Sequence, residues 1–117
     1  MEKFLLIVRA DIEKLRTIPE AQRYAGWPDM VEWVKSITDS GNHIAGAPLD
    51  VHGRYVTQDT VLSDGPFIES KEGVLGFDIL QAENIEQAVA IAQTCPMVTR
   101  GLAKREVRPI LSLAKRE

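Results

Sequence analysis

The sequence predicts a single α+β subunit over residues 1–117, with segments in the order strand, helix, strand, hairpin, strand, helix, strand. Three observations carry this. Phe4, Leu6 and Val8 fall on one face of an extended segment and Leu5 and Ile7 on the other, so the first strand is central in its sheet. Two later segments repeat apolar residues at the helical period and end at stop signals. Short alternating runs on either side of Gln58-Asp59 read as a hairpin.

From Ala10 to Tyr24 the pattern is mixed. Ile12, Leu15 and Ile18 have helical spacing, but Pro19 interrupts them, which predicts a loop with a short helix. Pro28 opens a helix whose stripe Met30, Val31, Val34, Ile37 and Thr38 runs to Ser40-Gly41-Asn42, giving a helix over Pro28 to Ser40. His43 to Ala47 reads as a short strand closed by Pro48. The hairpin pairs Arg54 to Thr57 with Thr60 to Ser63, although Gln-Asp is not a favoured two-residue turn. Leu75, Phe77 and Ile79 then alternate with Gly76, Asp78 and Leu80 as a third major strand.

Asn84 with Gln87 three residues on makes a capping-box pattern. The apolar face Ile85, Ala88, Val89, Ala92 and Cys95 follows, and Pro96 stops the helix. The last strand is Lys104 to Leu111, with Pro109 at an edge or bulge. This order is a split βαβ, ferredoxin-like subunit with an inserted β-hairpin. Two helices cover one face of such a sheet. Because the first strand is apolar on both faces, the other face needs a cover too, and a second copy of the chain is the simplest one.

A net charge of −3, from 17 acidic and 14 basic residues, argues against a nucleic-acid surface. The basic run Lys104-Arg105-Glu106-Val107-Arg108 is interrupted by acid and reads as a strand edge. One cysteine, Cys95, rules out an internal disulfide, fits a reducing compartment and belongs by spacing to the helix core rather than to a nucleophile. The five apolar residues before Arg9 are too few for a signal-peptide core or a membrane span, so the expected location is the cytoplasm.

The stretch Asp64-Gly65-Pro66-Phe67-Ile68-Glu69-Ser70-Lys71-Glu72 is the least explicable by packing. Gly65 and Pro66 lock one backbone path, and four ionisable side chains sit on it around Phe67. Those residues resemble the signature of the DGPF branch of the YCII-related family. The resemblance continues through Leu75-Gly76-Phe77, the helix ending at Cys95-Pro96 and Glu106-Val107-Arg108-Pro109-Ile110. It implies a ferredoxin-like subunit pairing as a dimeric α+β barrel. Enzymatic activity is known for some YCII relatives but is not a shared property of the DGPF branch.

Asp64, Glu69 and Lys71 are the candidate catalytic residues, as general acid or base and as holder of an anionic group. The structural alternative is a capped turn with a Glu69 and Lys71 ion pair. Phe67, Glu72, Trp27 and Tyr24 are candidate ligand contacts, an aromatic and polar edge suited to a small molecule with an apolar body and a polar end. His43 is a weaker candidate base. YCII relatives are noted for a His-Asp pair, but no matching motif carries that role onto His43, and a histidine bonded at a strand start is the plainer reading.

His43, Asp50 and His52 match no zinc spacing, and no glycine-rich phosphate loop is present, so neither metal nor organic cofactor is expected. The function expected is small-molecule binding or acid-base catalysis near the Asp64 to Glu72 motif. The alternative is a non-catalytic regulatory or interaction module, since DGPF-type proteins resemble partners found alongside extracytoplasmic-function sigma factors.

Overall fold

The structure, a computed structural model, describes residues 1–50, 52–62 and 73–112, without the side chains of Arg16, Arg23, Tyr24 and Leu62. The order is β1 (Glu2–Ala10), α1 (Ile12–Arg16), α2 (Glu20–Tyr24), α3 (Trp27–Asp39), β2 (His43–Pro48), β3 (Tyr55–Val56), β4 (Val61–Leu62), β5 (Gly73–Ala82), α4 (Ile85–Gln93), α5 (Pro96–Thr99) and β6 (Lys104–Pro109). Four strands form one antiparallel sheet in the order β2-β5-β1-β6. As its two-sided apolar pattern predicts, β1 is interior. β6, which contains Pro109, lies at an edge.

The core lies on one face of this sheet. Phe4, Leu6, Leu80 and Ala82 pack against Trp33 and Ile37 of α3, Ala88 and Ala92 of α4, and Cys95. Trp33 enters that core with its indole N–H satisfied by Thr94 Oγ1 at 2.8 Å. On the opposite face Leu5 pairs with Ile79 and Ile7 with Phe77. All four keep part of their surface exposed.

Three local expectations are corrected. The helix read as running to Cys95 ends at Gln93, because Cys95 precedes a proline and takes extended angles (φ −59, ψ 126) that cap α5 instead. Residues 10–24 hold two short helices, not one, with Pro19 ahead of the second. Among the described residues the hairpin pairs Tyr55–Val56 with Val61–Leu62, without Arg54, Thr57 and Thr60, and Ser63 lies outside the described residues. Its unfavoured Gln58-Asp59 turn is held by Thr57 and Thr60, whose hydroxyls lie 2.7 Å apart while Thr57 Oγ1 accepts the Thr60 N–H at 3.0 Å.

The capping box also differs by one residue. Asn84 accepts the Gln87 N–H at 2.9 Å, but Gln87 Oε1 accepts from Glu83 N at 2.7 Å rather than from Asn84.

Candidate functional site

Asp78 is the charged residue buried in the middle of the sheet. It sits on the helix-facing side of β5, opposite Leu6 of β1 and Gly46 of β2. A carboxylate there requires partners, because burying an unpaired charge costs several kcal/mol at the least. Two side chains supply them. Arg105 NH1 donates to Oδ2 at 2.7 Å, and His43 Nε2 meets Oδ1 at 2.8 Å.

Each partner is delivered by a particular backbone feature. Arg105 stands on β6 and reaches across β1, its NH1 passing 3.4 Å from the Leu6 carbonyl oxygen. Its guanidinium stacks on Trp33, 5.2 Å from the ring centroid, and its NH2 donates to Cys95 Sγ at 3.5 Å. Arg105 Nε is buried and has no hydrogen-bond partner among the described residues. His43 opens β2 just after Gly41, whose φ of 82° ends the turn from α3. A register shift between His43 and Ala45 lets His43 face the same side as Gly46, two positions that plain alternation would put on opposite sides.

Gly46 is needed where it stands. A Cβ there would overlap Asp78 Oδ1, so only glycine lets β2 lie this close to the carboxylate. His43 and Asp78 side chains are each 11% exposed and that of Arg105 is 3% exposed. The Asp78 and Arg105 charges cancel. A carboxylate only accepts, so Nε2 carries the imidazole proton and Nδ1 is the nitrogen left to accept another.

These three residues line a cavity of about 580 Å³ between the sheet and the helices. Its other walls are mostly apolar, among them Trp27, Met30, Val34 and Met97. Trp27, on this wall, is 53% exposed. Arg100, the remaining charged wall residue, is paired with Asp29. Among the described residues no three His, Cys, Asp or Glu side chains gather where a metal ion would bind. His52 is not brought to His43 through Asp50; the Asp50 carboxylate instead accepts the His52 backbone N–H at 2.9 Å.

The sequence expectation and the geometry therefore overlap only in part. His43 and Trp27 line the cavity. Asp64, Phe67, Glu69, Lys71 and Glu72 lie outside the described residues, as does the side chain of Tyr24. Asp78 and Arg105 were missed as site residues. The one acid in a mostly apolar strand was the available signal, since alternation alone puts Asp78 on the face of Leu80.

Comparison with known proteins fits this architecture. The YCII-related domain family matches residues 3–111. The chain belongs to the YCII-related family. Within curated relatives, an uncharacterized protein of Rhizobium meliloti (strain 1021) is 32% identical over 57 residues, 49% of this chain and 46% of that protein. Among solved structures, the 5-chloro-2-hydroxyhydroquinone dehydrochlorinase TftG from Burkholderia phenoliruptrix AC1100, in complex with 2,5-dihydroxybenzoquinone, superposes with a TM-score of 0.56. That match covers 96% of this YCII-related chain and 97% of the other at 16% identity, a likeness of fold.

Proposed function

We propose that this YCII-related chain binds a small, largely apolar molecule carrying a polar group and carries out proton transfer on it with its own side chains. The observation that carries the reading is His43, held by the ion-paired Asp78 at the wall of an otherwise apolar cavity. In this arrangement Nδ1 takes a proton from an O–H or an activated C–H of the ligand, and the imidazolium so formed is stabilised by the carboxylate on Nε2. Arg105 holds that carboxylate in place. The fold neighbour is named as a dehydrochlorinase and holds a dihydroxybenzoquinone; a hydroxylated ring of that kind suits a cavity with one polar wall.

The Asp64 to Glu72 motif belongs to the same cleft in this reading, with Asp64, Glu69 and Lys71 as its functional edge and Phe67 and Glu72 as ligand contacts. Glu72 leads directly into Gly73, the first residue of β5. Gly73 lies so close to the cavity residue Ile12 that a Cβ would overlap its Cδ1. We also propose a homodimer through the open sheet face, where Leu5, Ile7, Phe77 and Ile79 cluster.

Titration with 2,5-dihydroxybenzoquinone, followed by amide NMR shifts, tests the binding reading. Saturable shifts at Gly46 and Met97 are expected, with affinity reduced by about threefold or more in His43→Gln. No localised shift with this ring or with hydroquinone would reject the reading in favour of an interaction module.

A further inference from the structure

β3 and β4 do not line the cavity beside His43, and their surface is unusual for a segment that faces water. They form a two-stranded sheet apart from the main one, inserted in the chain between β2 and β5. Val56 stands opposite Val61, so the two side chains project from the same face. They are 70% and 64% exposed. Tyr55, on the other face, is exposed as well. The turn beneath them is well built, because Thr57 N donates to the Thr60 carbonyl at 2.8 Å in addition to the hydroxyl bonds already described. The chain thus makes a defined hairpin and puts apolar β-branched residues on its outside. A two-stranded hairpin is at best marginally stable in water unless something packs against it.

We propose that this hairpin is an arm that packs, through Val56 and Val61, against a second copy of the chain. This rests on the homodimer of the preceding section and adds the element that makes its interface large enough to last. Area is what points to a second copy. On the open sheet face Leu5 and Ile7 stand about 7 Å apart along β1, and Ile79 and Phe77 lie about 5 Å away on β5. Ala45 and Ala47 of β2 are their next neighbours. Across those three strands the apolar patch measures roughly 10 Å by 15 Å in plan, about 150 Å². Towards β6 the face turns charged, since Glu106 and Arg108 stand opposite Ile7 and Leu5 and Glu106 is bonded to both Arg9 and Arg108. A stable pair buries about 800 Å² on each partner, so even twice the plan area of the patch falls well short. The hairpin supplies further apolar surface, and in a two-fold pair each copy contributes its own arm.

Sedimentation velocity over a dilution series, with the parent beside Val56→Lys/Val61→Lys, measures the arm's share of the association. Both valines are exposed, so the amide NMR spectrum of the variant should keep the shifts of β1 and β5. Its dimer dissociation constant should rise at least about tenfold. Two added lysines take the net charge from −3 to −1, which lowers repulsion between copies, so general charge repulsion does not explain a weaker dimer. Val56→Thr/Val61→Thr keeps the branched shape and the strand preference, and should weaken the dimer about threefold or more; it decides the matter if the lysine variant does not fold. A dimeric parent whose folded variants dissociate at the same concentration overturns the arm and leaves the homodimer standing. A parent that is monomeric throughout the series overturns both.

Discussion

Removing the Arg105 guanidinium tests the buried centre most severely. Its side chain is 3% exposed, and its 2.7 Å hydrogen bond is what offsets the desolvation of Asp78. Arg105→Met keeps much of the volume against Trp33 but leaves Asp78 with His43 as its remaining side-chain partner. Breaking a buried pair from one side costs about 3–5 kcal/mol. For a domain of this size each kcal/mol is worth roughly 3–6 °C, so Tm should fall by about 10–25 °C.

Adding Asp78→Asn removes the orphaned charge while retaining an acceptor for His43. The double variant should therefore recover about 2 kcal/mol or more relative to the sum of the single changes. Urea unfolding of the four proteins at pH 7 gives the cycle. A cost below about 1 kcal/mol for Arg105→Met, with additive effects, would refute the claim that the pair is buried and interdependent.

Three further outcomes follow from other parts of the fold. Gly46→Ala should push β2 from Asp78, costing about 1–3 kcal/mol by urea unfolding and altering the His43 ring signals, whereas unchanged signals would show that the contact is not tight. Hydrogen bonds from Arg108 and then Arg9 hold the Glu106 carboxyl below its usual 4.5, so their stabilisation is present above that pH and lost as pH falls through the lower folded value. Glu106→Gln should lower Tm near pH 7 and converge with the parent in acid; a gap that widens in acid contradicts the sign. Light scattering should give twice 13.0 kDa for the parent and 13.0 kDa for a folded Ile7→Asp, while Leu6→Asp, placed in the core, should unfold the chain.

Much of the fold was legible because it depends on patterns only a few residues long. The apolar run from Phe4 to Val8 identified an interior strand, and the stripes of α3 and α4 identified the helices over the core. Helix ends were less legible. Cys95 continues the apolar spacing of α4, but backbone restriction before Pro96 decides its conformation.

The site was harder to read for a physical reason. His43, Asp78 and Arg105 lie 35 and 27 residues apart along the chain and meet only through pairing across the sheet. The shift beside His43 also breaks the alternation from which its facing would be read. Arg105 read as one member of an interrupted basic run at a strand edge, yet it is the cation that lets a carboxylate sit in the interior.

Proton transfer in this cavity depends on which nitrogen of His43 carries the proton and on whether a ligand reaches the other. Long-range 1H–15N NMR correlation of the His43 ring measures both. With the imidazole neutral, Nε2 should be protonated and Nδ1 bare, and the Nδ1 shift should move when 2,5-dihydroxybenzoquinone is added. A protonated Nδ1 with a bare Nε2, or an Nδ1 shift indifferent to that ligand, would contradict a proton-accepting His43 in the binding cavity.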